Sequence, residues 1–423
     1  MKKVLLRAPI LTQSGYGVHG RTLYAALKSR PDLFDIYVEP TSWGQTSWMW
    51  EDTEKRQQID QDIAKCAVYR SQNGQFDIAL LVTIPNEWER LAPVTIGVTA
   101  GIESSKVAPQ WLWQSNNQVD KIIVTSTFSK KTFGDTTYPV QDPKTKVNTV
   151  LKLNKEIEVI NYPVKEYVKT DLGIKLDYDF NFLVVAQWGP RKNVPNMVRW
   201  FVEEFIDQEV GLVLKINKSN NNMVDRMVVR KELLDLLSEY PDRKCKVYLL
   251  HGSMDNNEMH SLYEHPQIKC LISLTHGEGY GLPLFEAAYC GVPVLSHEWG
   301  GQTDFLVVDS KDKNGKIKKK KYYAKVDFDV KPIQPEAVWD GVLQADSMWA
   351  YPKSGSAKMK MREVYKSYDR FLGQAKKLKK ALIKSHSAKN INEKFVNAVY
   401  GSLELSEDEK EWSDITNKVV SYD

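Results

Sequence analysis

The sequence predicts an α/β protein made of two doubly wound domains in tandem. Short β-branched runs alternate with longer amphipathic stretches, which is the pattern of parallel βαβ units in a twisted open sheet. The pattern restarts after Asp177–Tyr178, and the 423 residues are enough for two or three domains. Because ligands bind at the carboxyl ends of strands in such sheets, the two domains are expected to face an interdomain cleft.

The individual elements follow from short apolar runs and from the stretches between them. In the first half the predicted strands are Lys3–Arg7, Asp35–Val38, Asp77–Val82, Val94–Val98, Lys121–Val124 and Glu156–Ile160. The predicted helices between them are Val18–Lys28, Glu54–Tyr69 and Pro109–Asn117. In the second half strands are predicted at Asn181–Val185, Gly211–Ile216, Lys246–Leu250, Lys269–Leu274 and Val292–Ser296, and helices at Met197–Ile206, Met223–Tyr240, Asn257–His265 and Leu284–Cys290.

The boundary between the domains is expected between Pro163 and Asp179, which gives domains at 1–175 and 176–402. A C-terminal helix at about 403–423 is predicted to return to the first domain. Composition is ordinary for a folded chain, with 42% hydrophobic residues and a net charge of +4. No window approaches the ~18 consecutive apolar residues of a membrane span. The four cysteines lie far apart without metal-ligand spacing, which favours reduced thiols in a cytoplasmic protein and no metal site.

The most informative stretch is Thr275–Val294, which follows a predicted strand and opens a helix. Its glycines, Gly277, Gly279 and Gly281, let the backbone approach a ligand and present N–H groups. A helix N-terminus with free amides is an anion site, so the stretch predicts phosphate binding. Two carboxylates accompany it: Glu286, expected in the first helical turn, and Glu278, eight positions earlier. Carboxylates beside a phosphate site suit hydrogen bonds from sugar hydroxyls.

This stretch resembles the E-x7-E signature of the retaining, GT-B glycosyltransferases of the family-4 type. Glu278 and Glu286 match the two glutamates. The resemblance extends through both halves of the chain, and its further segments are Ser14–Gly17, Gly101–Ser104, Asp120–Phe128, Val159–Val164, Trp188–Asn193 and Ser296–Phe305. It implies two Rossmann-like domains and a hexosyl- or pentosyltransferase that uses a nucleotide sugar.

The resemblance also implies roles for individual residues. Glu286 would hold the ribose hydroxyls, Glu278 those of the transferred sugar, and Arg191 and Lys192 the diphosphate. Glu103 is the nearest polar candidate for a catalytic group in the first domain. The remaining predicted substrate contacts are Gly279, Tyr280, Gly281, Leu282, His276, Gly15, Tyr16, Gly17 and Lys215. The family needs no metal, and the nucleotide sugar is a co-substrate, so no cofactor is expected.

One departure from the family and several open alternatives remain. Gln187 stands about where the family has an Arg, and Arg191 is a candidate to supply that charge. His276 and Lys215 are equally compatible with donor contact and with structural roles, whereas His19 favours packing. A catalytically inactive relative that binds nucleotide sugars is the alternative from another class.

The acceptor is undetermined, and two segments bear on it. The loop Glu39–Asp52 carries three tryptophans and is either packing or an aromatic platform for an acceptor. Asp309–Lys325 is predicted to form a hairpin around Asn314–Gly315, with lysines from Lys316 to Lys321. These lysines beside Tyr322 and Tyr323 raise hydroxymethylated pyrimidines of modified viral DNA as one acceptor. A solvated hairpin, with a glycan, protein or small-molecule acceptor, is the alternative.

Overall fold

The protein was analysed as a computed structural model, which describes residues 1–141, 146–311 and 315–402. The first half contains eight strands: β1 (Lys2–Ala8), β2 (Phe34–Pro40), β3 (Ile78–Val82), β4 (Val94–Thr99), β5 (Lys121–Val124), β6 (Tyr138–Gln141), β7 (Asn148–Leu151) and β8 (Glu156–Val159). Six of them form a parallel sheet in the order β2-β1-β3-β4-β5-β8, and β6 and β7 pair as a separate antiparallel ribbon.

The second half repeats this architecture. Its strands are β9 (Asn181–Gln187), β10 (Gly211–Asn217), β11 (Lys246–Leu250), β12 (Ile268–Ser273), β13 (Val294–His297), β14 (Val307–Lys311), β15 (Ile317–Lys321), β16 (Ala324–Val326), β17 (Phe328–Pro332) and β18 (Met348–Pro352). A second parallel sheet has the order β11-β10-β9-β12-β13-β16. The remaining strands form two antiparallel pairs, β14 with β15 and β17 with β18.

Helices flank both sheets. They are α1 (Gly15–Lys28), α2 (Glu54–Ser71), α3 (Pro109–Gln118), α4 (Thr127–Asp135), α5 (Val194–Phe205), α6 (Met223–Leu237), α7 (Asn256–Tyr263), α8 (Leu282–Cys290), α9 (Thr303–Leu306), α10 (Ser354–Lys366) and α11 (Tyr368–Ser385). A further helix covers residues 388–402. The predicted fold class, two doubly wound α/β units, is thereby confirmed.

The starts of two predicted helices differ from the observed ones, because capping decides where a helix begins. The segment Ser14–Gly17, which precedes the predicted helix Val18–Lys28, begins α1, since Ser14 is its N-cap and accepts a hydrogen bond from the Gly17 amide. Helix α8 begins at Leu282, two residues earlier than predicted, after Gly281 in the left-handed conformation. Glu286 therefore lies in the second turn of α8, and the prediction that it lies in the first turn was wrong.

Each sheet carries its own hydrophobic core, and the chain crosses between them twice. The helix at 388–402 places Ile391, Phe395 and Val399 in the core of the first sheet. The predicted boundary assigned these residues to the second domain, but their apolar face is buried only by returning to the first. Residues 403–423, where the returning helix was predicted, lie outside the described residues. No helix of the described chain is long and apolar enough to span a membrane.

Candidate active site

A cavity of about 480 Å³ lies between the two sheets, at the carboxyl ends of their strands. This is where ligands bind in doubly wound sheets. Both halves of the chain line it. The predicted site residues along its wall are Gly15, Glu103, Arg191, Lys192, Lys215, Glu278, Gly279, Tyr280, Gly281, Leu282 and Glu286. The fold therefore brings together most of a set that spans more than 270 positions of sequence.

The two cations stand on a tight turn after β9. Pro190–Lys192 form one turn of 3-10 helix, and Asn193 closes it in the left-handed conformation, with a φ of 54°. The Asn193 side chain donates to the carbonyl of Leu274 at 2.9 Å, which ties the turn to the glycine-rich segment. The amide of His276 donates to the carbonyl of Arg191 at 2.7 Å. The turn is thus fixed by neighbouring backbone, and its side chains point into the cavity.

Glu278 is the centre of the charged cluster. Lys192 Nζ lies 2.6 Å from Glu278 Oε1, and Arg191 Nη1 lies 3.5 Å from Oε2. Arg191 also approaches Glu103, with Nη2 3.4 Å from Oε1. Burial opposes ionisation of Glu278, but the two cations hold the pKa of Glu278 below its ordinary value. The cations predicted for a diphosphate are therefore paired with carboxylates from both halves of the molecule.

Glu286 occupies the other end of the cavity. Its Oε2 accepts a hydrogen bond from the Tyr263 hydroxyl at 3.1 Å, and Lys165 Nζ lies 3.9 Å from Oε1. Neither partner was predicted from the sequence. Tyr263 ends α7 inside a predicted helix, and Lys165 lies in the connection between the two units, so neither stands in a recognisable motif. Only the folded chain shows that Glu286 is held from two sides.

The glycines of the Gly-rich segment are needed mainly for contact between the two halves. A Cβ on Gly277 would lie 1.9 Å from the carbonyl oxygen of Glu103, and one on Gly279 would lie 2.6 Å from that of Ala100. The expectation was that these glycines make room for a ligand. Gly281 has a different reason, because its φ of 91° favours glycine at the start of α8.

Three predicted contacts lie away from this cavity. His276 is buried between Trp349 and Tyr351 and donates from Nδ1 to the carbonyl of Ala350 at 2.8 Å. Gly17 is packed against Thr12, leaving no space for a ligand. Tyr16 is buried, and its hydroxyl hydrogen-bonds to Thr99 Oγ1 at 2.7 Å. His276 and Gly17 are therefore packed within the fold, whereas Tyr16 lines a second cavity.

Three further side chains line the main cavity, and the polar end of each donates a hydrogen bond to a backbone carbonyl. Lys215 lies in the second half of β10 and donates to the carbonyl of Gly252 at 2.6 Å, and burial lowers the pKa of Lys215 to about 8. Gln187 ends β9, beside Asn217 on β10, and donates to the carbonyl of Lys218. Arg21 donates to the carbonyls of Ile10 and Thr12. Gln187 thus lines the cavity without supplying a charge.

The second cavity, of about 320 Å³, adjoins the first and shares Gln13, Glu103 and Arg191 with it. The Trp-rich loop covers it: the ring of Trp43 lies 4.1 Å from that of Tyr16, centroid to centroid. Trp48 and Trp50 instead stay 52% and 73% exposed. Trp43 therefore packs against Tyr16 and also lines a cavity, while the role of the loop as a platform for an acceptor stays a prediction.

The lysine-rich hairpin is present in the described residues as β14 and β15, although Asn314 of its predicted turn lies outside them. Tyr323 is buried, so its ring is not available to stack on a base, and Tyr322 is partly buried against the core of the second half. Lys321 lies 2.7 Å from Glu298. No described residue of the hairpin lines either cavity.

Part of the sequence matches a known protein family, and solved structures share the fold. Residues 234–323, which include both glutamates, match the family described as glycosyl transferases group 1. Sucrose-phosphate synthase from Thermosynechococcus elongatus superposes with a TM-score of 0.62 at 12% identity, covering 96% of this chain and 100% of that one. The chain is a glycosyltransferase with the GT-B fold.

Other solved structures share the fold of this glycosyltransferase. HepE from Anabaena, in complex with UDP and glucose, gives a TM-score of 0.54 at 11% identity and covers 95% of this chain and 100% of that one. The catalytic domain of starch synthase IV from Arabidopsis thaliana, bound to ADP and acarbose, gives 0.53 at 11% identity, with coverages of 96% and 99%. By sequence, no curated protein matches the chain.

Proposed function

We propose that the glycosyltransferase transfers a sugar from a nucleoside-diphosphate sugar to an acceptor hydroxyl, with retention of configuration. The observation that carries the proposal is the arrangement around the main cavity. Lys192 and Arg191 supply positive charge at one place, and Glu278 and Glu286 supply hydrogen-bond acceptors on either side of the α8 N-terminus. This set matches a phosphate group flanked by two sugars.

Each residue has a distinct task in this proposal. The diphosphate is held by Lys192, Arg191 and the amides that begin α8, which stabilise the charge that develops as it leaves. Glu286, fixed by Tyr263, accepts from the ribose hydroxyls. Glu278 accepts from hydroxyls of the transferred sugar, and donor binding would draw Lys192 from Glu278 toward phosphate. Retention rests on the resemblance of the E-x7-E segment to retaining enzymes.

Support comes from two complexes that share the fold, HepE with UDP and glucose and starch synthase IV with ADP and acarbose. We carry over the ligand class, a nucleoside diphosphate, and not the particular sugar or base. Metal independence stays a prediction, as protein cations and amides already face the diphosphate site. A cytoplasmic location also stays a prediction, in keeping with the four free, buried cysteines.

The test separates the two glutamates. Glu286→Gln should weaken binding of nucleoside diphosphate and of nucleotide sugar alike, by roughly tenfold, because a charge-assisted hydrogen bond is worth about 1.5–3 kcal/mol. Glu278→Gln should not weaken binding of the bare nucleoside diphosphate, because Lys192 and Arg191 keep their charges once they are released from Glu278. It should lower turnover, because in this proposal Glu278 accepts from hydroxyls of the transferred sugar. Calorimetry on the bare nucleotides and a nucleoside-diphosphate release assay measure the two effects. Equal losses of bare-nucleotide affinity in both variants would contradict this division.

A further inference from the structure

The second cavity is nearly free of net charge. Among the described residues that line it, the charged ones are Glu103 and Arg191, and they face each other at 3.4 Å. Moving a charged group from water into such surroundings is unfavourable unless a residue of opposite charge is there to pair with it. This cavity therefore disfavours a phosphate, a carboxylate or an ammonium group. The main cavity differs, because further cations and carboxylates line it, among them Lys192, Lys215 and Glu286.

Neutral amides form its polar wall. Gln13 comes from the first half of the chain, and Gln187, Asn217 and Asn221 come from the second. Two of them meet across the cleft, where Asn221 Nδ2 donates to Gln13 Oε1 at 3.1 Å, and Asn217 Nδ2 donates to Asn221 Oδ1 at 3.2 Å. An amide both donates and accepts, as does a hydroxyl. The wall therefore suits a neutral molecule with several hydrogen-bonding groups.

An aromatic surface completes the cavity. The ring of Trp43 lies against Tyr16 at an interplanar angle of 31°, and both line the space. A flat apolar surface beside hydrogen-bonding amides is complementary to a ring that carries polar groups on its edge and an apolar face. The volume of about 320 Å³ leaves room for one such ring with its substituents.

The two cavities meet at Glu103 and Arg191, which line both. We propose that the second cavity binds the hydroxyl-bearing ring of the acceptor, that this ring is uncharged, and that Trp43 with the amides Gln13 and Asn221 selects it. The inference rests on the proposed function, because it places the acceptor beside the donor sugar. In the reaction the acceptor oxygen forms a bond to the anomeric carbon of the donor sugar. The bond between that carbon and the phosphate oxygen breaks at the same time. The electron pair leaves with the diphosphate, and the hydroxyl proton passes to the departing phosphate.

Two sources could supply such a ring: a sugar unit, or a hydroxymethylated pyrimidine of a nucleoside or of DNA. Both are neutral rings with polar edges, so the cavity chemistry is shared and the experiment separates them. The panel contains matched pairs that differ in charge on the ring, namely methyl hexosides against hexose 6-phosphates. Hydroxymethylcytidine and a single-stranded oligonucleotide that carries the same base form the second arm.

The expected result is transfer to a neutral ring in one arm, with kcat/KM for the methyl hexoside at least about tenfold above that for the phosphate if the sugar arm is active. Transfer to the nucleoside or oligonucleotide alone assigns the ring to a nucleobase. Preferential use of a hexose phosphate overturns the proposal, and so does transfer to none of the compounds.

A pair of variants tests the residues. Trp43→Ala should raise the acceptor KM about tenfold or more, as loss of a stacking surface does, with nucleoside-diphosphate affinity unchanged. Trp50→Ala, in the same loop but 73% exposed and outside both cavities, is the matched control and should leave the acceptor KM unchanged. Trp43→Phe keeps an aromatic ring and should fall between them, which guards against misfolding of the alanine variant.

The outcomes keep the two proposals apart. An unchanged acceptor KM in Trp43→Ala, with donor binding intact, overturns the acceptor assignment and leaves the donor proposal standing. Failure of the wild-type protein to bind any nucleoside diphosphate overturns the proposed function, and the acceptor assignment falls with it.

Discussion

At the scale of single residues, the site is a set of charges that neutralise one another. Lys192, Arg191, Glu278 and Glu103 form one connected cluster across the cleft. A buried carboxylate beside two cations stays ionised, and the same cations stay available to a phosphate that offers a stronger negative charge. Lys215 differs, because its ammonium contacts a carbonyl oxygen and its environment disfavours the positive charge.

This difference predicts a pH dependence of donor binding. Burial lowers the pKa of Lys215 to about 8, although Glu258 favours its charged form, so the positive charge is present below pH 8 and lost above it. Nucleoside-diphosphate affinity should therefore fall between pH 7 and pH 9, by about fivefold for one charge acting over roughly 8 Å. Calorimetry across this range measures it.

The control is Lys215→Arg, which stays charged throughout because the guanidinium pKa exceeds about 12. The affinity of this variant for nucleoside diphosphate should stay constant from pH 7 to pH 9. The same decline in Lys215→Arg as in the wild-type protein would assign the titration to another group, and Lys192, whose pKa burial and Arg191 also lower, would be the next to examine.

At the scale of elements, the loop between β10 and α6 presents Asn217 and Asn221 to both cavities. A buried carboxylate fixes this loop: Asp225, in the first turn of α6, accepts from the amides of Lys218 and Ser219 at 2.9 and 2.8 Å. His251 Nε2 lies 2.8 Å from the same carboxylate. Although burial acts against ionisation, these partners hold the pKa of Asp225 at about 2.

Asp225→Asn should therefore loosen the loop and destabilise the protein by about 1–3 kcal/mol at pH 7, because an amide cannot accept from all these donors. The stability contributed by Asp225 is present above its unfolded pKa and is lost as pH falls from about 4 toward 2. The difference between wild type and variant should shrink between pH 5 and pH 3.

Urea unfolding at pH 7, 5 and 3 measures this effect. Asp235→Asn, on an exposed position of the same helix, is the matched control and should change stability by less than about 0.5 kcal/mol. A destabilisation by Asp225→Asn that is the same at all three pH values would show that the charge of Asp225 does not act as described.

At the scale of the whole molecule, the two halves are in close contact across the cleft. Ser126 Oγ donates to the carbonyl of Gly279 at 2.6 Å, and the Thr127 amide donates to Asp304 Oδ2 at 2.8 Å. Glycines at 277 and 279 are what allow this approach, since a methyl group there would meet backbone oxygen atoms of the opposite half. The main cavity and the second cavity adjoin beside this contact and share lining residues from both halves.

A methyl group at this contact should separate the halves and misalign the reacting groups. Gly279→Ala should lower turnover by about a hundredfold, the cost expected for a displacement of about 1 Å. Gly373→Ala is the control, because nothing lies within 4 Å of the added Cβ in the middle of α11, and a helix gains about 0.5–1 kcal/mol from this change. Turnover and thermal unfolding are measured for both. Wild-type turnover in Gly279→Ala would mean that catalysis does not require the closed contact.

The sequence by itself determined the fold class and the position of most strands and helices. Hydrophobic periodicity and β-branched runs are local, so β5 and β11 were predicted at their observed bounds. Glu278 and Glu286 were predicted as site residues from one short motif, and Arg191 and Lys192 from another, and the fold places all four along one cavity. These predictions depend on residues within one short segment at a time.

Only the tertiary structure decided what depends on distant residues. Gly277 and Gly279, which were predicted to make room for a ligand, instead allow the opposite half of the chain to approach. His276, a predicted substrate contact, is buried and packs against Trp349. Tyr263 and Lys165 beside Glu286, and the amide wall of the second cavity, come from segments that carry no motif. The helix at 388–402 returned to the first core for the same reason: burial of an apolar face is settled by the whole chain, and no local pattern records which core will bury it.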